Sequence, residues 1–197
     1  GIRNPGNVDA DVPTQDISAN ATMWEFFKKH PGKRIFLSSK TYTGNLGGLA
    51  GADAKCQTLA NNAGLSGIFK AWLSDLVTSA GDRLSHSSTP YHLVNGVKIA
   101  DNWNDLVDGA LLASINITEK GLVQVADDNV WTNTKQDGTR KHTDHIALTC
   151  GNWTTTGANG SHGGYIGNAA EVSGIWTDKN SYTYCTNATM HLYCVEQ

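Results

Sequence analysis

Four cysteines, at positions 56, 150, 185 and 194, constrain this chain more than any other feature. Four thiols allow three pairings. No Cys-x-x-Cys occurs, so neither a zinc ribbon nor a thioredoxin-like redox motif is indicated. A chain of 197 residues can bury about 70% of its unfolded surface unaided, so smallness does not demand cross-links. If the cysteines are structural, their task is to hold particular segments. Pairing Cys150 with Cys185 would close the Gly-, Asn- and Thr-rich stretch between them, and pairing Cys56 with Cys194 would staple a helix to the last strand. Each closure would constrain the unfolded chain by roughly 3–5 kcal/mol in the loop-entropy description.

Composition points toward an exported, loop-rich domain. Charged residues make up 17% and hydrophobic residues 39%, against about 25% and about 45–50% in ordinary globular domains. Gly, Thr, Ser and Asn fill the difference, which argues against a helical bundle, a coiled coil or a charged tail. A net charge of −3 excludes a whole-surface grip on nucleic acid. No run approaches about 18 apolar residues, so no membrane span is expected. The start at Gly1-Ile2-Arg3 reads as a mature or truncated piece of something longer, its targeting signal removed or never included.

Residues 1–32 differ from the rest and hold three of the four prolines. They read as a linker followed by a short helix over Ser18–His30, with Met23, Trp24, Phe26 and Phe27 on it and Pro31-Gly32 as its stop. That aromatic face would either pack on the main domain or self-associate. The main domain spans 33–197. Strands are predicted at 34–38, 69–73, 115–117, 129–131, 176–178, 182–185 and 191–195. A hairpin is predicted over 91–99, turning at Asn95-Gly96. A helix over Gly51–Ala63 presents Ala52, Cys56, Leu59 and Ala60 on one face, with Gly64 at the C′ position. A helical turn is expected at 102–106, and 75–88 and 151–174 read as loop. The class is α+β, with one main helix, mixed but mostly antiparallel strands and long loops.

An ordered set of motifs follows this frame: Ala52-Asp-Ala-Lys-Cys56, Ala63-Gly-Leu-Ser-Gly-Ile-Phe-Lys-Ala-Trp-Leu-Ser74, Asp82-Arg-Leu84, Val94-Asn-Gly96, Trp103, Val130-Trp-Thr132, Asp137-Gly-Thr-Arg140, Cys150-Gly-Asn-Trp153, Cys185 and His191-Leu-Tyr-Cys-Val-Glu-Gln197. From about Arg34 to Gln197 the chain resembles the C-type lectin-like fold, and within it the endostatin-like branch. It is most similar there to bacterial endostatin-like domains of largely unassigned function. The resemblance implies the nested pairing Cys56–Cys194 and Cys150–Cys185, and a disulfide-closed loop. It also implies a non-catalytic recognition module, secreted or on the cell surface, adhesin-like and associated with virulence. Its ligands would be host extracellular-matrix or serum proteins, or glycans. A structural role, as a trimerisation or capping module joined through the N-terminal helix, is the alternative.

Several family activities are not carried over. Calcium-binding lectins of this fold place a Glu-Pro-Asn type motif before the second cysteine, where this chain has His145-Ile-Ala-Leu-Thr149. They place Trp-Asn-Asp before the third, where Trp176-Thr-Asp178 stands further off. Calcium needs six to eight gathered oxygens, and no carboxylate cluster supplies them. The endostatin zinc site needs N-terminal histidines that this chain lacks, and Arg3, Arg34, Arg83 and Arg140 are few for heparin.

Within the Cys150–Cys185 stretch the candidate ligand-binding residues are Trp153, Asn159, His162, Tyr165, Trp176 and Asp178. Aromatic rings among polar side chains are what sugar and protein sites use. Trp153 and Trp176 have structural packing as their other reading. His142, Asp144 and His145 could hold a metal or form a polar loop. Lys28-Lys-His-Pro-Gly-Lys-Arg34 could meet an anionic surface or be a solvated helix end. No hydrolase elbow, P-loop, zincin helix or dinucleotide fingerprint occurs, so no enzyme and no cofactor are expected. Non-reducing peptide mass mapping is expected to recover Cys56–Cys194 and Cys150–Cys185. Four free thiols in the native protein would remove both the fold reading and the exported location.

Overall fold

Ile35, Phe36 and Leu37 are all buried, and an apolar run with no polar face suits a strand covered on both sides. In the computed structural model, which describes residues 32–124, 128–157 and 160–197, they belong to β1 (Lys33–Leu37), the middle strand of a five-stranded sheet. β1 runs parallel to β3 (Tyr91–Leu93) and antiparallel to β8 (Tyr193–Glu196). β2 (Phe69–Ala71) lies antiparallel on the far side of β8, and β4 (Lys98–Ala100) lies antiparallel to β3. The β3–β4 connection turns where expected, with Gly96 at a φ of 92° that its missing Cβ allows. A second, three-stranded antiparallel sheet contains β5 (Asn129–Trp131), β6 (Gly163–Asn168) and β7 (Ser181–Tyr184). A single parallel bridge from Val130 to His191 leads from β5 toward the first sheet.

Helix α1 (Gly48–Asn62) buries the expected stripe, Ala52, Cys56, Leu59 and Ala60. The Cys56–Cys194 disulfide fastens that stripe to β8. The second disulfide is Cys150–Cys185. Two one-turn helices carry their own caps. In α2 (Ala80–Arg83) the Ser79 hydroxyl accepts from the Asp82 amide, and the Asp82 carboxylate accepts from Ser79 in return. Those bonds from Ser79 hold the Asp82 carboxyl below its ordinary range. In α3 (Trp103–Leu106) Asn102 caps the Asp105 amide. The core gathers Trp72, Trp131, Trp153 and Trp176, with Trp72 4.9 Å from Trp176 and Trp131 5.6 Å from Trp153.

Four sequence expectations need correction. Residues 75–88 contain α2, because Ser79 and Asp82 form a capping box. Residues 115–117 make only isolated bridges, Ile117 with Val123 and the adjacent Thr118 with Leu37. Gly174–Trp176 is a 3-10 turn and not the start of a strand. The supposed loop at 151–174 contains β6, the central strand of the second sheet. Its glycines are there for close approach. A Cβ on Gly164 would sit 2.7 Å from the Trp131 ring and 3.0 Å from the Cys150 sulfur. The linker and short helix expected over 1–32, with Met23, Trp24, Phe26 and Phe27, fall on 1–31, outside the described residues.

Cys150, Gly151, Asn152 and Trp153 have φ of 51°, 62°, 54° and 64°. The Trp153 amide donates to Thr149 O at 2.8 Å and the Thr154 amide to Cys150 O at 3.1 Å. This is one turn of left-handed helix, costing about 1–2 kcal/mol for each non-glycine residue. Its neighbours hold it. The Leu46 and Gly47 amides donate to Trp153 O, Asn152 Oδ1 accepts from the Leu76 amide, and Cys150 is bonded to Cys185. Gly44 closes the arrangement, its amide donating to Cys185 O at 2.8 Å. A Cβ there would collide with the Cys150 sulfur. Gly44→Ala is therefore expected to lower stability by about 2–3 kcal/mol in denaturant titration. An unchanged midpoint would show that this packing is wrong.

Candidate ligand-binding face

β6 and β7 pair with Tyr165 opposite Tyr182 and Gly163 opposite Tyr184. Alternation along β6 sends Gly164 and Ile166 into the core and Tyr165 to the other face. Tyr182 and Tyr184, two residues apart on β7, share one face and are 56% and 60% exposed. Neither ring stands free. Tyr182 lies across Gly163, whose Cβ would come within 2.8 Å of its Cδ2, and Tyr184 lies across Gly160, at 3.4 Å from its Cδ1. Each tyrosine thus sits against a glycine and still leaves more than half of its residue surface exposed. Tyr165 and Tyr182 have centroids 5.8 Å apart, a cross-strand aromatic pair that stiffens the surface.

Polar groups border the rings. His142 stacks on Tyr165 at 4.5 Å. Lys141 Nζ lies 5.8 Å from the centroid of the same ring, pairs with Asp178 at 2.8 Å and donates to Asn180 Oδ1 at 3.1 Å. Lys141 and Asp178 also line an adjoining groove of about 590 Å³, together with Lys135, Gln136, Asp137 and Ile175. Partial burial alone would raise the Asp137 carboxyl, but hydrogen bonds from Thr139 outweigh it and hold it below its ordinary range. The face therefore offers flat apolar surfaces beside directional polar groups. That combination holds a ligand by stacking and hydrogen bonding.

The sequence-predicted residues divide. Tyr165 and Asp178 come together through Lys141. His162 immediately precedes β6, half-buried, with Nδ1 2.9 Å from the Ser161 hydroxyl. Asn159 lies outside the described residues. Trp153 and Trp176 are corrected to core residues, 0% and 1% exposed. Trp153 Nε1 donates to Ser74 O at 2.9 Å, and the Trp176 ring packs on Tyr193 at 5.4 Å. A surface ligand does not reach either ring. His142, Asp144 and His145 do not gather. His142 Nδ1 is 3.8 Å from Asp144 Oδ1, and among the described residues no group of three or more His, Cys, Asp or Glu is placed to hold a metal ion. Lys28, Lys29 and His30 of the basic cluster lie outside the described residues. Its described members bind the C-terminal strand instead: Lys33 donates to Gln197 O, and Arg34 pairs with Glu196 at 2.7 Å.

Tyr182 and Tyr184 were not among the sequence candidates. Their signal was present, two tyrosines at i and i+2 in Ser181-Tyr-Thr-Tyr184, which a strand places on one face. A family model described as protein of unknown function (DUF1554) matches residues 39–172. The matched span includes Lys141, His142 and Tyr165 and ends before β7. No curated protein matches the chain. Core and surface aromatics should separate in stability measurements. Trp153→Phe removes the shorter of the two hydrogen bonds to Ser74 O, leaving only the 3.4 Å bond from Asn133 Nδ2, and is expected to cost about 1–3 kcal/mol. Tyr182→Ala should stay within about 0.5 kcal/mol of wild type. The reverse order would invalidate the assignment of the two sites.

Proposed function

The chain belongs to the family of proteins of unknown function (DUF1554), and we propose that it is a non-catalytic recognition module that meets its ligand on the tyrosine face of the second sheet. The observation that carries this reading is the set Tyr165, Tyr182 and Tyr184. Three rings share one face, and two of them sit against glycines while remaining more than half exposed. Large rigid rings supply contact area at low entropic cost, which is why tyrosine dominates recognition surfaces. The charged groups beside them are already paired with one another, as Lys141 is with Asp178. That arrangement suits holding a ligand more than proton transfer to one.

The proposal includes a C-type lectin-like, endostatin-like chain path. Supporting it are the α+β composition, the helix stapled to the C-terminal strand, and a second disulfide that brackets β6 and β7. It also includes a secreted or surface-exposed location on a bacterium and an adhesin-like role toward host matrix proteins, serum proteins or glycans. Two disulfides are compatible with an extracytoplasmic location. Among the described residues no helix is long and apolar enough to cross a membrane.

Shortening residues 155–174 would remove the central strand β6, so point substitutions are the sound test. Surface plasmon resonance against immobilised matrix proteins, serum proteins and glycans should find a ligand for the wild type. The Tyr182→Ala/Tyr184→Ala double variant should lose about tenfold or more in affinity for it, as aromatic anchors at interface centres do. Equal binding by wild type and double variant would refute the face.

A further inference from the structure

We infer that the tyrosine face and its adjoining groove form an extended subsite for a neutral oligosaccharide chain. This inference rests on the proposed recognition role and narrows its ligand class. Three observations carry it. The first is ring presentation. Tyr182 and Tyr184 sit against Gly163 and Gly160 and are 56% and 60% exposed, so ring surface is available to the C–H face of a sugar ring. Two residues along a strand separate their Cα atoms by about 7 Å, so a ligand covering both rings is longer than a single sugar ring.

The second is continuity. Lys141 touches both parts of the strip, lying over Tyr165 and lining the groove of about 590 Å³. A ligand stacked on the rings continues past Lys141, Asp178 and Asn180 into a trough of amide, ammonium and carboxylate groups. Those are the donors and acceptors that hydroxyl groups need.

The third is charge. The groove is lined by Lys135 and Lys141 against Asp137 and Asp178, two cations against two anions. A sulfated or uronic polysaccharide would meet Asp137 and Asp178 as repulsion. An acidic or basic peptide would find no complementary field. A polyhydroxylated neutral chain meets no like charge and can use both signs as hydrogen-bond partners. Its affinity should therefore depend little on salt, in contrast to the steep dependence of charge-driven binding.

The test is calorimetric titration of the full chain with chitohexaose, cellohexaose, maltohexaose and a poly-N-acetyllactosamine hexasaccharide, with a heparin-derived hexasaccharide as the charged comparison. At least one neutral probe is expected to bind. Its affinity should fall about tenfold or more in Tyr182→Ala and stay within about threefold in Tyr182→Phe, which keeps the ring. Gly163→Ala, which lifts the Tyr182 ring from its seat, should weaken the same probe while circular dichroism reports an unchanged fold. Raising salt from low to physiological strength should change the affinity less than about twofold. Binding of no neutral probe overturns the inference, as does preference for the heparin fragment or indifference to Tyr182→Ala. Matrix or serum protein binding that is lost in Tyr182→Ala, with no neutral probe bound, overturns the glycan assignment alone and leaves the recognition role standing. Protein binding indifferent to the tyrosines overturns the face itself.

Discussion

The left-handed turn at Cys150–Trp153 is the constraint on which much of the rest depends. It joins segments distant in sequence: the approach to α1 through Leu46 and Gly47, the stretch after β2 through Ser74 and Leu76, and the end of β7 through Cys185. A left-handed backbone at three non-glycine residues persists only when its surroundings over-determine it. Here a disulfide, a buried indole with a hydrogen-bonded nitrogen and several backbone bonds all point to one conformation. The turn in turn sets where Cys185 sits, and so where β7 presents its tyrosines.

A buried hydroxyl network continues from that turn into the core. Ser74, Thr132, Thr134 and Thr177 are all fully buried. Trp72 Nε1 donates to Thr177 Oγ1 at 2.7 Å, Thr177 Oγ1 donates to Thr134 O at 3.0 Å, and Ser74 and Thr134 share a bond at 2.8 Å. Thr132 Oγ1 closes back on Thr177 O at 2.6 Å. Such networks are specific because each broken member leaves a buried group unsatisfied. They tie the segment after β2 to the segment after β5 without extending either sheet. Thr177, a member of that network, immediately precedes Asp178 of the candidate face.

Glycine accounts for the parts of the chain that sequence reading placed poorly. In Gly163-Gly-Tyr-Ile-Gly-Asn168 the glycines resemble a loop signal, yet each marks a close approach. Gly164 makes room for Trp131 and the disulfide, Gly163 for the Tyr182 ring, and Gly167 for the backbone at Trp176 and Thr177. The space a missing Cβ leaves is decided by what packs against it, which local sequence does not contain. The same limitation applies to tryptophan. Trp153 and Trp176 sit among polar neighbours in sequence, which reads as surface, but long-range packing brings Ser74 and Trp72 against them.

Read by itself, the chain determined its class, its main helix and the strands whose apolar runs leave no polar face. The stripe Ala52, Cys56, Leu59 and Ala60 and the Asn95-Gly96 turn were legible because periodicity and turn chemistry are local. For the candidate site, Tyr165 and Asp178 were legible as polar-aromatic residues within the cysteine-bracketed stretch. Only the tertiary structure decided that Tyr182 and Tyr184 complete the face and that two tryptophans leave it. Only it decided that Lys141 joins the rings to a groove. Pairing across β6 and β7 places the tyrosines, because a strand's register assigns every side chain to a face and register is a non-local property; the tryptophans and Lys141 are placed by contacts with segments distant in sequence.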